Sequence, residues 1–144
     1  MGSVRLWLLG GAILAAASAL SAEDLIWGSD LAAAEKRAIK DHKLILLDFT
    51  GSDWCGYCRM LDSQVISSDE FGEFASKYIL VRVDFPKFHS QDSDEKSRNR
   101  SLAMEYKIEG YPTLVLVGPT GREIRRVEGY EPKSGAAAYL AQFY

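Results

Sequence analysis

The feature that most constrains this chain is the segment Leu44–Cys58, an apolar run that ends in the only two cysteines of the 144 residues. Residues 44–49 are nearly all apolar, which is typical of a strand buried on both faces of a sheet. Cys55 and Cys58 follow in a Cys-x-x-Cys pattern, where a helix is expected to begin. Two thiols at this spacing close into a small ring with little backbone movement. The segment therefore predicts a central strand that delivers a reversible dithiol.

The two cysteines are expected to serve redox chemistry rather than stability. A bridge between Cys55 and Cys58 closes a very short loop and restrains the unfolded chain weakly. Secreted domains that need disulfides usually carry more cysteines, further apart. Haem attachment requires histidine after the second cysteine, where Arg59 stands. A zinc site needs two more ligands, and His42 and His89 show no spacing that favours one. We expect no metal and no other cofactor; an inert bridge or a metal site is the alternative.

The first 22 residues are predicted to be a signal peptide. Arg5 precedes the apolar stretch 6–20, and small residues follow up to Ala22. The apolar core of about 15 residues is shorter than the roughly 20 that a membrane-spanning helix needs; an uncleaved anchor is the alternative. Cleavage is expected after Ala19 or Ala22, and residues 23–144 are predicted to form one domain. We therefore expect a periplasmic or otherwise extracytoplasmic protein, soluble after cleavage.

The charge of the chain gives no sign of a polyanionic partner. The sequence has 17 basic and 20 acidic residues, for a formal net charge of −3. Nucleic-acid binding and attachment to an anionic membrane surface usually require a basic excess. Neither nucleic acid nor a membrane is therefore expected as a partner.

The remaining pattern predicts an α/β fold. Helical periodicity predicts helices that start near residue 30, at 55, after a capping box at 67–70, within the polar run 85–106, and at 132. Apolar and alternating runs predict strands over 44–49, 79–84, 113–117 and 123–127, the last two joined by a turn at 118–121. A central mixed sheet of about four strands with helices on both faces accommodates this order.

The expected placement of the cysteines gives them different roles. Cys55 should lie at or just before a helix N-terminus, where free backbone N–H groups favour a thiolate. Trp54 and Arg59 add an apolar wall and a positive charge beside it. Cys58, one turn into the helix, should be more buried. We expect Cys55 to attack a substrate disulfide and Cys58 to break the mixed disulfide that results.

At this point the sequence resembles the thioredoxin superfamily, and more closely its exported bacterial members. The resemblance covers nearly all of residues 23–144. It rests on Asp48-Phe49 at the strand end, Trp54-Cys-Gly-Tyr-Cys58, and Gly110-Tyr-Pro-Thr113 before the hairpin. It implies a thioredoxin fold and an enzyme, a thiol–disulfide oxidoreductase that reduces or exchanges disulfides in exported proteins. A redox partner would have to reset the dithiol.

The resemblance also implies a substrate-binding side. Pro112 should be a cis proline that faces the cysteines, and Tyr111 should offer backbone groups to a substrate strand. Trp54 and Tyr57 should contact the substrate beside it. A trans proline at a strand start is the alternative for Pro112.

A second set of residues is expected to tune the thiols. By resemblance, Asp48 matches the family's buried carboxylate beneath Cys58; burial would raise its pKa and make it a proton acceptor. Asp48 lies seven positions before Cys55, one more than in familiar thioredoxins, and a partly solvated aspartate is the alternative. Gly56 and Arg59 are expected to tune the redox potential. Ser52 and Asp53, nearer in sequence, are expected to form a turn.

Two other functions compete with this prediction. One is a disulfide isomerase, which uses the same dithiol chemistry. The other is a non-catalytic binding or chaperone module that keeps the fold and loses the reaction. Because about 30 mV of reduction potential corresponds to about 1.4 kcal/mol, single contacts decide the direction of electron flow. Glycine follows the first cysteine here as it does in thioredoxin, and this similarity favours a reductase or a general oxidoreductase.

Overall fold

A five-stranded mixed sheet forms the centre of the fold. The computed structural model describes residues 25–144, and the predicted signal peptide lies outside them. The strands are β1 (Trp27–Gly28), β2 (Leu44–Thr50), β3 (Tyr78–Asp84), β4 (Thr113–Val117) and β5 (Glu123–Glu128). Their order across the sheet is β1-β3-β2-β4-β5. The pairs β1–β3 and β3–β2 are parallel, and the pairs β2–β4 and β4–β5 are antiparallel.

Five helices cover the two faces of this sheet. They are α1 (Leu31–Asp41), α2 (Gly56–Leu61), α3 (Asp69–Ala75), α4 (Ser93–Glu105) and α5 (Ala136–Leu140). A π-helical turn over Asp62–Ile66 continues α2, and a 3₁₀ turn over Ala141–Phe143 follows α5. Within the described residues, no helix combines the length and the apolar character needed to cross a membrane. The arrangement confirms the predicted α/β class.

The apolar run of β2 places it at the centre of the sheet. Ile45–Thr50 are all buried, because β2 pairs with a strand on each edge and is covered on each face. Alternate side chains point to opposite faces. The α5-side core contains Leu46, Leu61, Phe71, Leu114 and Tyr139, among others. The α1-side core contains Ala34, Ile45, Leu47, Phe49 and Val115, among others.

Side-chain caps define where several helices begin. Asp30 Oδ1 accepts the backbone N–H of Ala32 at 2.9 Å and starts α1, within the predicted range. Ser68 Oγ accepts the N–H of Phe71 at 3.1 Å and starts α3. The predicted capping box from Ser67 is therefore wrong by one residue.

The structure corrects several other predicted boundaries. The predicted helix from residue 55 divides at Asp62, where the π-helical turn begins. Helix α3 ends at Ala75, and β3 begins at Tyr78. The last helix starts at Ala136 rather than Pro132.

The sheet also has one strand more than the predicted four. β1 consists of two residues and pairs in parallel with Leu80 and Val81 of β3. Trp27 stacks on Phe71 with ring centroids 6.2 Å apart, which attaches this short strand to the α5-side core. A two-residue strand has no periodicity, so the sequence contains no pattern that predicts it.

Truncation of Phe71 should be among the most destabilising changes in this core. Its side chain is fully buried against Trp27 and Phe74. We expect Phe71→Ala to lower the free energy of unfolding by about 3–5 kcal/mol in chemical denaturation. Phe88→Ala makes the same chemical change at a side chain that is 79% exposed, and should change stability by less than about 1 kcal/mol. Equal losses in the two variants would contradict this assignment of the core.

Candidate active site

The two cysteines lie at the beginning of α2. Cys55 occupies the N-cap position with an extended backbone, and Cys58 is in the first turn. Their sulfurs form a disulfide, with the Cα atoms 5.2 Å apart. The backbone N–H of Cys58 points at Cys55 Sγ at 3.2 Å. Once the bridge is reduced, this N–H stabilises a thiolate on Cys55, because a donor aimed at sulfur favours its charged form.

As predicted, Cys58 is less accessible to solvent than Cys55. Cys55 is 7% exposed and Cys58 is 1% exposed. Cys58 and Leu61 are three residues apart on α2 and both are buried, so Cys58 faces the α5-side core. A substrate sulfur can therefore approach Cys55, whereas Cys58 is reached only from Cys55.

Hydrogen bonds join the residues just before Cys55 to the end of β3 and to the residues that follow it. Asp84 accepts hydrogen bonds from the Ser52 backbone N–H at 2.9 Å and from the Ser52 hydroxyl at 2.5 Å. The indole N–H of Trp54 donates to the Phe85 carbonyl at 2.7 Å. A Cβ atom on Gly51 would collide with the Trp54 ring, so glycine is required there. These contacts hold the backbone segment that leads into Cys55 in one conformation.

The carboxylate of Asp53 adds further hydrogen bonds between the same two segments. Its oxygens accept the backbone N–H groups of Lys87, Phe88 and His89 at 2.7–2.9 Å. The His89 ring nitrogen Nδ1 lies 2.9 Å from the same carboxylate. Burial acts to raise the pKa of Asp53, but these hydrogen bonds together lower it to about 2. Asp53 lies in the predicted turn, and its further role as an anchor for residues 87–89 was not predicted.

Opposite the dithiol lies the Tyr111–Pro112 peptide bond, which is cis. The Tyr111 carbonyl oxygen is 3.8 Å from Cys55 Sγ. The Pro112 carbonyl accepts the backbone N–H of Gly129 at 2.7 Å, which joins this turn to the end of β5. Gly129 has a φ of +74°, a conformation that favours glycine. The turn thus places a backbone carbonyl directly beside the accessible sulfur.

Aromatic rings surround this carbonyl. The Tyr111 ring meets the Trp54 ring edge-on at 5.9 Å and the Phe85 ring at 5.2 Å. The Lys87 ammonium lies 3.8 Å from the centroid of the Trp54 ring. A shallow cavity of about 320 Å³ lies on the other side of Tyr111 and is lined by Tyr57, Tyr111, Gly129, Tyr130, Glu131 and Pro132. The surface next to Cys55 is therefore rich in aromatic groups.

Asp48 lies within the core, on the α5 side of the sheet. It is 1% exposed on β2, and it shares a face of the strand with Leu46 of the α5-side core. Burial raises the pKa of its carboxyl to about 7. The charge of Arg82 acts against this rise, and the charges of Asp62 and Asp84 add to it. Asp48 is thus buried, as predicted, and its role as a proton acceptor stays a prediction.

One guanidinium serves two carboxylates at this position. Arg82 is the register partner of Asp48 on β3, with its Nε 3.2 Å from Asp48 Oδ2. The angle at this contact lies outside hydrogen-bond geometry, so it is an ion pair without a directed N–H bond. Arg82 Nη2 donates to Asp62 Oδ1 at 3.0 Å. Since Arg82 is shared, it compensates Asp48 incompletely.

The predicted site residues are distributed over two sides of the dithiol. Trp54, Tyr111 and Pro112 surround Cys55, and Tyr57, 56% exposed, borders the cavity. Gly56 is the exposed first residue of α2. The exposed Arg59 donates to the Asp53 carbonyl at 3.4 Å, so its charge is directed at the turn before Cys55.

Several neighbours of the site were not predicted from the sequence. They are Asp62, Arg82, Phe85 and Tyr130, together with the anchoring role of Asp53. Each acts across a contact of more than twelve residues along the chain, which no local motif reports. His42 is exposed at the end of α1. In the part of the chain that the structure describes, no cluster of His, Cys, Asp or Glu is arranged to hold a metal.

A dithiol at the start of a helix, packed on a mixed sheet and facing a cis proline, is typical of thioredoxin-fold oxidoreductases. Residues 31–144 match the family described as a thioredoxin-like domain. The chain belongs to this family. A solved structure of a DsbH oxidoreductase matches with a TM-score of 0.74 and 38% identity, covering 83% of this chain and 81% of that one. The predicted thioredoxin fold is confirmed.

Curated relatives agree with this assignment. The chain is 39% identical over 124 residues to the disulfide bond reductase DsbH of Chlamydia pneumoniae. The aligned region covers 85% of this chain and 73% of the relative. The chain is 27% identical over 124 residues to the thioredoxin-related protein DsbJ of the same organism, spanning 36% of that longer protein. Together with the Cys55–Cys58 disulfide, these matches make the chain a thiol–disulfide oxidoreductase.

The raised pKa of Asp48 makes stability depend on pH. The folded carboxyl titrates at about 7, above the unfolded value of about 3.9. The folded state therefore binds more protons between these values, and the free energy of unfolding falls as pH rises from about 4 to 7. We expect Asp48→Asn to remove this fall and to be more stable above pH 7, by on the order of 3 kcal/mol.

Denaturation of the oxidised protein at pH 5 and pH 8 measures this effect without interference from thiol titration. Asp41→Asn at the exposed end of α1 is the matched control, and it should follow the wild-type pH dependence. Parallel pH dependences for wild type and Asp48→Asn would show that the Asp48 carboxyl does not titrate in this range.

Loss of the Asp53 charge should release residues 87–89. Asn keeps the shape of the side chain but replaces one acceptor oxygen by a donor, which cannot accept the N–H groups it now meets. We expect hydrogen exchange at the Lys87–His89 amides to accelerate about tenfold or more in Asp53→Asn. Asp69→Asn, in the first turn of α3, is the control. Unchanged exchange would mean that other contacts hold this segment.

Proposed function

We propose that this oxidoreductase works outside the cytoplasm and reduces disulfides in exported proteins. The observation that carries the proposal is the accessible Cys55 sulfur, which has a backbone N–H aimed at it and a backbone carbonyl beside it. The predicted signal peptide supports an extracytoplasmic location. The name of the relative DsbH, a disulfide bond reductase, favours the reductive direction. A Dsb-type redox partner would then return Cys55 and Cys58 to the dithiol form.

The substrate is proposed to bind as an extended segment along Tyr111. The carbonyl of Tyr111 is an acceptor for a substrate N–H, and it lies 3.8 Å from Cys55 Sγ. A substrate cysteine held there would have its disulfide within reach of the attacking sulfur. The cavity between Tyr57 and Tyr130 would take a neighbouring side chain. Backbone pairing requires no particular substrate sequence, which suits an enzyme with several clients.

In the first step, the Cys55 thiolate attacks one sulfur of the substrate disulfide. A bond forms between Cys55 Sγ and that sulfur, and the other substrate sulfur leaves as a thiolate. The N–H of Cys58 stabilises the attacking charge before this step.

In the second step, Cys58 resolves the mixed disulfide. Its thiol gives up a proton, and we propose Asp48 as the acceptor, because a carboxyl with a pKa of about 7 exchanges protons readily at neutral pH. Cys58 Sγ then attacks Cys55 Sγ, and the substrate sulfur leaves and takes up a proton. The enzyme ends with the Cys55–Cys58 disulfide, two electrons poorer. The isolation of Cys58 from solvent restricts its attack to Cys55.

The reduction potential of the Cys55–Cys58 pair tests the reductive direction. Equilibration with glutathione should give a value in the range of reductants such as thioredoxin, about −270 mV, or of glutaredoxins, about −200 to −230 mV. A value near −120 mV, as in strong periplasmic oxidants, would reverse the proposed direction. The oxidoreductase assignment itself would survive that result.

Substitutions of Cys55 and of Cys58 should have different effects on the reaction. We expect Cys55→Ser to abolish insulin reduction, because the attacking sulfur is lost. Cys58→Ser should form the mixed disulfide and stop there, so that a covalent adduct with substrate accumulates and disappears on addition of dithiothreitol. Mass spectrometry of the adduct measures this, and turnover should fall at least about 100-fold in each variant. Wild-type rates in Cys55→Ala would instead indicate a non-catalytic module.

A further inference from the structure

Besides Arg82 Nε, two buried polar atoms on the α5 side of the sheet lack a hydrogen-bond partner among the described residues. They are Oδ1 of Asp48 and the hydroxyl oxygen of Tyr139. Asp48 is 1% exposed and Tyr139 is 2% exposed. Buried polar groups in folded proteins are almost always satisfied by protein or by ordered water. One of these atoms is an acceptor and the other carries a donor hydrogen, so each can supply what the other needs.

The fold places the two side chains on the same side of the sheet. Asp48 shares a strand face with Leu46, and its register partner on β4 is Leu114. Leu46 and Leu114 belong to the same cluster as Tyr139. Burial and the charge of Asp48 both raise the pKa of Tyr139. Helix α5 therefore carries the Tyr139 hydroxyl into the region that Asp48 occupies.

We propose that Tyr139 is a positioning residue for Asp48, with its hydroxyl joined to Asp48 Oδ1 through one buried water molecule. The two groups form no direct hydrogen bond with each other, since neither atom has a hydrogen-bond partner among the described residues. A buried water makes about three hydrogen bonds and bridges groups of this kind. It would accept from the hydroxyl and donate to the carboxylate. The hydrogen-bond link stands independently; only its catalytic use rests on the proposed function.

The link would act in the same sense as Arg82 and against burial and the two neighbouring carboxylates. The titratable and charged groups around Asp48 are Arg82 and Asp84 of β3, Asp62 of the π-helical turn and Tyr139 of α5. A hydrogen bond donated to a carboxylate favours its charged form. The water held by Tyr139 would thus keep the Asp48 carboxyl ionisable near neutral pH despite its burial. Removal of the hydroxyl should raise the pKa of Asp48.

Titration of Asp48 in Tyr139→Phe tests the proposal directly. Carboxyl carbons of aspartate are labelled with ¹³C, and the Asp48 resonance of the oxidised protein is followed by NMR as pH changes. We expect the midpoint to rise by about one pH unit in Tyr139→Phe. Tyr106→Phe is the matched control, because it removes a buried hydroxyl that donates to Gly121 at 2.6 Å on the other face of the sheet. That control should leave the midpoint unchanged.

An Asp48 midpoint that is unchanged or lower in Tyr139→Phe would overturn the proposal. If that variant fails to fold, wild-type protein labelled with ¹³C at the tyrosine ζ carbons decides instead. The Tyr139 resonance should then show an inflection at the Asp48 midpoint, absent in Asp48→Asn, and no inflection there would overturn the link. Insulin reduction tests the proposed function separately. If the enzyme reduces insulin, its pH profile should move upward in Tyr139→Phe together with the Asp48 midpoint.

Discussion

The position of Cys55 depends on the hydrogen bonds that tie residues 52–54 to residues 84–89. Each of the three residues before Cys55 has its own partner at the end of β3 or just after it. The partners are Asp84 for Ser52, the Lys87–His89 amides for Asp53, and the Phe85 carbonyl for Trp54. These bonds replace the regular sheet pairing that ends at Thr50 and Asp84. A cysteine at a helix N-cap reacts with a large substrate only if its loop is held. In this protein, hydrogen bonds between polar groups hold the loop before Cys55, rather than apolar packing.

In the proposed mechanism, the second cysteine depends on a carboxyl group that the core accommodates poorly. Asp48 is buried, and its ion-pair partner Arg82 also serves Asp62. A fully compensated carboxylate would have a low pKa and would be a weak proton acceptor, whereas an isolated one would stay protonated. The shared arginine leaves the carboxyl between these limits, with a pKa of about 7. Stability at neutral pH is reduced by the same arrangement, a common conflict at functional sites.

The sequence predicted most of what depends on local pattern. The long apolar run of β2, the hairpin of β4 and β5, and the Cys-x-x-Cys segment each carry their own signal, and all three lie where they were expected. The burial of Asp48 was predicted by resemblance alone. The ion pair of Asp48 with Arg82 and its proposed link to Tyr139 were not predicted, because Arg82 lies across the sheet and Tyr139 on the last helix. Such contacts follow from how the strands pair, which the sequence pattern does not specify residue by residue.

In the proposed mechanism, the two sides of the dithiol separate substrate recognition from proton transfer. Cys55 meets aromatic rings and a backbone carbonyl at the surface, and Cys58 meets the core that contains Asp48. Changes among Tyr57, Tyr111 and Tyr130 would therefore alter which substrates bind without moving the buried carboxyl. Changes to the groups around Asp48 would alter the resolving step for every substrate alike. The six-residue helix α2 is the element that joins the two, because it exposes one sulfur and buries the other.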